Sequence, residues 1–524
     1  MTIGSIESAL GSRRARRAWI YGLGLATGLV AGLVAVAYRA LAAALEALRA
    51  ASFSLGSGAG WPRVLAWLGA CALAGSATAL MVRKAPLIKG SGIPQVKAEL
   101  ARKLRSDWRK ELPLKFAGGS LALGAGLSLG REGPSIQLGS LAGAALAELS
   151  GRPETRRYLL TAGAAAGIAA AFNAPLAGVL FCLEELHRCF SPVMLGCSML
   201  AALAADGVSR LLLGDGSVFG FSLAATLPLR LYPLVLALGA ACGLLGAGFN
   251  AALLGTQSAL RRLLPREGAR ILAVFVAGGI VALLAPRIAG GGHALVEAVA
   301  GGGLALSALA ALAVGKLLFT LVSYGSGSPG GIFLPMLALG ALAGGFASGL
   351  CSACGLAELY LPNFVLLGMV GFFTAVVRAP ITGAILVTEM AGSFGHFPAF
   401  ILAAVAASLV ASLLGSEPIY DSLLALLAPA GYAPVERGEA VVLHVPVLEG
   451  SVLDLCEDAQ AAMPEGCVLV GVVSGEEERI ARPDMEIRPG DLVEVLVAAK
   501  DAGEAKEKLR LLAGHAPHSV EHPD

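Results

Sequence analysis

The chain has 524 residues, 56% of them hydrophobic and 15% charged, with a mean hydropathy of +0.75. Soluble domains carry about 25% charged residues, so the composition argues against a soluble enzyme or a nucleic-acid-binding protein and for a polytopic, all-α membrane protein. The net charge of +2 hides a division: the first 430 residues hold 31 basic and 18 acidic side chains, and residues 431–524 hold 8 and 19.

Residues 1–17 read as a cytoplasmic N-terminal segment, because Arg13, Arg14, Arg16 and Arg17 precede the first apolar span. A signal peptide also opens with positive charge, but here the apolar run continues too long and lacks a convincing cleavage site. Apolar stretches then recur at 18–36, 64–82, 118–129, 159–183, 231–254, 271–285, 304–322, 332–350, 364–377 and 399–414. Several reach the roughly 20 residues that cross a bilayer; the rest are short or interrupted by Gly and Pro. The 69 glycines allow such helices to pack backbone to backbone.

Three interruptions share one design: GSGIP at 90–94, GREGP at 130–134 and GSPGGIFLP at 327–335. Each sets glycines (Gly90 and Gly92, Gly130 and Gly133, Gly330 and Gly331) close to a proline that suits a first helical turn. The first N–H groups of a helix have no partner within it and carry the positive end of the dipole. Each break therefore reads as a loop entering a helix mouth able to hold an anion. Taken singly, each also reads as a kinked or re-entrant helix. Arg131 and Glu132 are the only charges between Lys115 and Glu148. Arg131 is expected to tie its loop to carbonyls, with a lesser role in positive potential. Lys115 has the same two readings.

An internal repeat runs through this part. NAPLAGVLFCLEE at 173–185 matches RAPITGAILVTEM at 378–390 through A-P-x-x-G-x5-E, ending at Glu184 and Glu389. Gly130-x-x-Gly133 is followed by LAG at 141–143, and Gly327-x-x-Gly330 by LAG at 342–344. Two halves interrupted at corresponding places are a transporter signature, with the site between the repeats. Glu184 and Glu389 are counterparts and are expected to accept backbone hydrogen bonds. Glu185 has no counterpart, since Met390 stands there, and is the candidate for a special role.

GSGIP, GREGP, G-x-F-x-P as GIFLP (331–335) and the late tyrosine of EPIYDSLL (417–424) occur in order. On these motifs residues 18–427 resemble the chloride channel and chloride/proton antiporter family, CLC. The resemblance implies a homodimer in the bilayer, an anion pathway in each subunit and two inverted repeats, about 18–215 and 230–427. It implies that chloride is held by the hydroxyls of Ser91 and Tyr420 and the N–H groups of Ile332 and Phe333. Read without the resemblance, Ser91 is a helix cap and Tyr420 an interfacial aromatic. Nitrate-preferring relatives often carry proline at the Ser91 position, and a fluoride-exporting branch alters these positions, so chloride is the expected anion. The resemblance makes Glu132 the gating glutamate that alternates with chloride and carries the outer proton. It places Glu185 at the inner proton-acceptor position, where channel members commonly have an apolar residue. Coupled chloride/proton antiport is thus expected over its alternative, a gated channel for chloride or another anion.

No enzyme and no resident cofactor or metal is expected. HRC at 187–189 and HALVE at 293–297 do not form H-E-x-x-H, and CSAC at 351–354 reads as small residues near a helix end. Nine scattered cysteines suggest no disulfide framework. Residues 428–437 read as a linker, 438–514 as a small α+β cytoplasmic module, and 515–524 as a tail. In the module VVLHVPV, CVLVGVV and LVEVLVA read as strands, RPGD at 488–491 as a turn, and 501–514 as a helix. Arg479 to Val497 resembles the TrkA C-terminal domain, which implies a regulatory, dimeric module able to bind a small ligand. The acidic run Glu476 to Glu478 reads as a solvated turn.

Overall fold

The chain divides into two units, Met1–Leu427 and Ala428–Asp524. The computed structural model describes residues 3–514 apart from 55–59, 102, 153–154, 188–190, 215–218, 220–225, 356–359, 428–439, 456–459, 461, 475–476, 483–484 and 499–500; for 3–17, 52–54, 440, 455 and 477–478 it describes the backbone alone. The side chains of Arg13 to Arg17, the linker at 428–437, the tail at 515–524, and Arg188, Cys189 and Glu476 lie outside the described residues.

The first unit is helical throughout. Its first half comprises α1 (Ile3–Ser54), α2 (Trp61–Lys84), α3 (Ile93–Leu100), α4 (Trp108–Gly124), α5 (Glu132–Leu149), α6 (Arg156–Phe172), α7 (Pro175–Phe181), which continues into a π-helical turn at Cys182–His187, and α8 (Pro192–Leu213). The second half comprises α9 (Tyr232–Leu263), α10 (Glu267–Leu284), α11 (His293–Ala300), α12 (Leu306–Gly325), α13 (Phe333–Ala353), α14 (Leu361–Val377), α15 (Pro380–Ala391), α16 (Phe397–Leu413) and α17 (Ile419–Leu427). Among the described residues, 8 helices are long and apolar enough to cross a membrane. By contrast α3, α7 and α11 have 8, 7 and 8 residues, about 12 Å of rise against a core of about 30 Å. Of these, α3 and α11 start at the buried glycines Gly92 and Gly292 and reach exposed residues just after their ends, at Ala101 and Gly301.

Helices α1–α8 correspond in order to α9–α16. A Cβ on Gly139 or Gly163 would strike the backbone of the facing helix in the α5–α6 pair, and one on Gly340 or Gly368 would do so in α13–α14. This is how helices pack when lipid removes the hydrophobic drive between them. Asn173 after α6 and Arg378 after α14 both take the left-handed conformation, at φ 51° and 68°, and each turns the chain into the A-P start of the next helix.

The repeat register differs from the sequence reading in one place. Glu132 opens α5 and Phe333 opens α13, so the counterpart of Gly130 is Gly331, not Gly327. Pro134 then matches Pro335, and the two LAG triplets fall at equal spacing. Gly327 to Gly330 belong to the preceding loop, which reaches sideways to Gly90.

In the second unit β1 (Ala440–Pro446), α18 (Val452–Leu455), β2 (Val468–Ser474), β3 (Glu477–Ile480), β4 (Leu492–Ala498) and α19 (Ala502–Leu512) form an antiparallel sheet of order β1-β4-β2-β3 with α19 against it. Val445, Leu469, Val472, Val493, Val495 and Leu509 are buried between sheet and helices. The RPGD turn is closed by the Arg488 N–H, which donates to Asp491 Oδ2 at 2.9 Å. Glu477 and Glu478 lie in β3 opposite Ser474 and Val473, so this part of the acidic run is strand rather than turn.

Candidate ion-transport site

The three glycine breaks meet in one place and are tied to one another through their backbones. The Gly90 N–H donates to Ser328 O at 3.2 Å and Gly90 O accepts from Gly330 N at 2.9 Å. Gly130 and Gly331 exchange both bonds, at 2.6 and 2.9 Å. Four of the six loop glycines therefore spend their amides on loop-to-loop bonds. The N–H groups of Ile332 and Phe333, at the start of α13, take no backbone carbonyl among the described residues. Gly92 needs its φ of 89° to turn into α3. Gly133 needs to be bare, since a Cβ there would lie 2.9 Å from both Cβ and O of Ser91.

Around this junction stand the side chains singled out in the sequence. Ser91 is buried, its Oγ accepting a long bond of 3.4 Å from the Ile93 N–H. The Tyr324 hydroxyl, not anticipated from sequence, faces Ser91 and lies beside Gly90. Tyr420 is fully buried, with its ring edge-on to Phe181 at 6.4 Å. Phe333 packs on Phe172, Phe181 and Phe373 at 5.2, 6.1 and 4.8 Å. Among the described residues the Tyr420 hydroxyl and Glu132 Oε2 are buried without a hydrogen-bond partner. A buried phenol without an acceptor suits an anion, because it donates one hydrogen bond and brings no charge. Glu132 lies in the first turn of α5 with the amides of Glu132 and Leu334 as electrostatic neighbours. Arg131 Nε is 3.8 Å from Glu132 Oε1 and has no hydrogen-bond partner among the described residues, so it does not tie the loop in the expected way.

Two buried lysines hold the glycine loops. Lys115 Nζ donates to Ile88 O and Gly90 O at 2.8 and 2.7 Å. Its counterpart Lys316 donates to Ile288 O and Gly290 O at 3.2 and 2.6 Å. The second loop, 290–292 ahead of α11, is the repeat partner of GSGIP. It escaped sequence reading because Ala294 stands where Pro94 marks the first.

The adjacent glutamates part company. Glu184 accepts N–H bonds from Ile381 and Thr382 at 3.3 and 2.8 Å and the Thr382 hydroxyl at 2.6 Å. Glu389 accepts from Leu176 and Ala177 at 3.1 and 2.8 Å. Each caps the start of the other's helix, so α7 and α15 run antiparallel, as inverted repeats require. Glu185 points elsewhere and pairs with Lys97 Nζ at 2.7 Å. Lys97 also pairs with Asp421 at 2.5 Å. Neither Lys97 nor Asp421 was evident from sequence; the only signal was charge inside two short helices, Lys97 and Glu99 in α3 and Asp421 in α17.

Two cavities flank the junction and share no lining residue. One, of about 680 Å³, is lined by Arg39, Arg49, Arg131, Arg287 and Glu46, with Leu334 at the site. The other, of about 340 Å³, is lined by Lys89, Arg261, Arg270 and Glu267, with Gly90 and Tyr324 at the site. Helix α10 starts at Glu267 in the second cavity and ends just before Pro286 in the first. Its 18 residues rise about 27 Å, so the cavities open on opposite faces. Both carry excess positive charge, which concentrates anions.

Residues 70–412 match the family described as "Voltage gated chloride channel". The chain is 39% identical over 327 residues to the H(+)/Cl(-) exchange transporter ClcA of Vibrio cholerae, covering 60% of this chain and 70% of that one. Its fold superposes on that of a slow cyanobacterial Cl-/H+ antiporter with a TM-score of 0.73 at 29% identity, over 79% of this chain and 99% of that one. A CLC-type fluoride/proton antiporter shares the fold, at a TM-score of 0.64 and 23% identity over 77% and 97% of the two chains.

Proposed function

The chain belongs to the voltage gated chloride channel family, and from that premise we propose that it exchanges chloride for protons across a membrane. The observation that carries this reading is the placement of two buried carboxylates, Glu132 and Glu185, both within electrostatic reach of the Tyr420 hydroxyl. Intramembrane acids are costly and are kept where they move ions.

In this mechanism chloride sits between the hydroxyls of Ser91 and Tyr420 and the amides of Ile332 and Phe333. These groups hold it without a full counter-charge, so it binds and leaves. The ionised Glu132 carboxylate is a tethered anion at the neighbouring helix mouth and competes with chloride. A proton from Glu185 neutralises Glu132 and releases it from the mouth to the side facing Arg131. The proton leaves there, and the carboxylate returns as chloride moves on. Chloride and protons are the transported ions; the mechanism uses no resident cofactor or metal and no enzymatic step.

We place both termini in the cytoplasm and the protein in the cell membrane as a homodimer. Arg261, Arg262 and Arg266 gather near the second cavity, which supports a cytoplasmic second cavity by the positive-inside rule. The antiparallel sheet and helix of the second unit support a module like the TrkA C-terminal domain, one that modulates transport by binding a small ligand. Protein lacking residues 436–524 is expected to retain exchange.

The test is the reversal potential of purified protein in liposomes under crossed chloride and proton gradients. Exchange gives a value displaced from the chloride equilibrium potential by the proton gradient. Reversal at the chloride potential identifies a gated channel instead. Proton movement unaffected by Glu185→Gln would remove Glu185 from the mechanism.

A further inference from the structure

Three side chains from three elements form a chain of ion pairs behind the proton site. Glu185 on the π-helical turn, Lys97 on α3 and Asp421 on α17 lie in sequence at 2.7 and 2.5 Å. Their side-chain exposures are graded at 2%, 9% and 29%, so Asp421 is the member open to solvent and Glu185 the one sealed inside. The other charged groups on these elements are engaged elsewhere. Glu99 pairs with Arg156 and Ser106, Glu184 caps α15, and His187 bonds Thr161 at 2.6 Å with Arg157 at 3.4 Å. Tyr420 lies on α17 beside Asp421.

We propose that Asp421 is the solvent-side proton port of the exchanger and that Lys97 relays protons from it to Glu185. The set of two carboxylates and one ammonium carries one excess negative charge, which a buried site disfavours. One proton taken from water by Asp421 neutralises the set. Lys97 Nζ–H then passes its proton to Glu185 as it accepts the proton of Asp421, so one N–H bond breaks and another forms. Lys97 returns to ammonium, Asp421 to carboxylate, and Glu185 holds the proton. An ammonium suits this because a lysine can hand over one N–H proton while taking up another, whereas a guanidinium holds its protons in proteins. The same helix presents Tyr420 to chloride, so α17 serves both ions.

This inference rests on the antiport reading, and the experiment separates the two. Reversal potentials are measured in liposomes for the full chain, Asp421→Asn, Asp421→Glu and Lys97→Arg. The expected result is a proton flux per chloride lowered about tenfold or more in Asp421→Asn, as for loss of a positioned proton carrier. Asp421→Glu restores it. Lys97→Arg keeps the positive charge and falls with Asp421→Asn. Asp421→Asn or Lys97→Arg with the unmodified protein's reversal potential would overturn the proposal while leaving antiport standing. If the unmodified protein itself reverses at the chloride potential, antiport fails instead.

Discussion

Replacing Glu184 separates structural from proton-carrying glutamates, because the two lie side by side and differ only in what they face. Glu184 receives three hydrogen bonds, two of them on Oε2 at 2.8 and 2.6 Å and one on Oε1 at 3.3 Å. In Glu184→Gln the amide oxygen can keep the Oε2 position, but its NH2 then faces the Ile381 N–H. The two short bonds lose their charge assistance, about 1 kcal/mol each, for a total near 2 kcal/mol. Glu184→Ala strands the same donors at the start of α15 and costs about 3 kcal/mol at this half-buried site. Glu389 receives two bonds and no hydroxyl, so Glu389→Ala should cost about 1 kcal/mol less. Thermal unfolding in detergent should show shifts of several degrees in that order, and the Glu184→Gln protein should keep its reversal potential under crossed gradients. A Glu184→Gln protein of normal thermal stability that no longer couples protons would refute this reasoning and make Glu184 the proton carrier.

Other outcomes follow from the same geometry. Glu132→Gln removes the tethered anion: chloride binding should tighten by calorimetry, and chloride-driven proton flux should stop. Lys115→Met and Lys316→Met each remove two charged bonds to a glycine loop, at about 3 kcal/mol in detergent unfolding. Lys115→Met should also weaken chloride binding, since its loop carries Ser91, and Lys316→Met should weaken it less. Gly133→Ala drives a Cβ to 2.9 Å from Ser91 and should abolish transport or folded yield. Gly22→Ala meets nothing within 4 Å and should leave melting temperature unchanged or raised, as Ala favours the helix by up to about 1 kcal/mol.

Membrane architecture was legible because apolar length and proline placement act locally. Pro62, Pro94, Pro175, Pro192, Pro233, Pro362, Pro380 and Pro398 all lie in a first helical turn, where a missing N–H is harmless. The glycine breaks were visible for the same reason. Their register was not: Gly327 and Gly331 differ only in which loop they cross, and a repeat of small residues tolerates a four-residue slip. The 290–292 loop was missed because it lacks the proline that marked its partner.

The sequence by itself determined the membrane class, the doubled half, three of the glycine-marked helix mouths and three of the four strands of the acidic module, since these depend on residue type within a few positions. Tertiary structure alone decided how the mouths are used. Four glycine amides pair across loops that lie about 200 to 240 residues apart in the chain, while the amides of Ile332 and Phe333 take no backbone carbonyl and the Tyr420 hydroxyl has no hydrogen-bond partner among the described residues. It also decided that Glu184 answers a helix start 198 residues away, while Glu185 meets a lysine shared with Asp421. Such pairings arise from the antiparallel set of two half-proteins in a medium where no buried polar group goes unmatched without cost, and no local pattern encodes that.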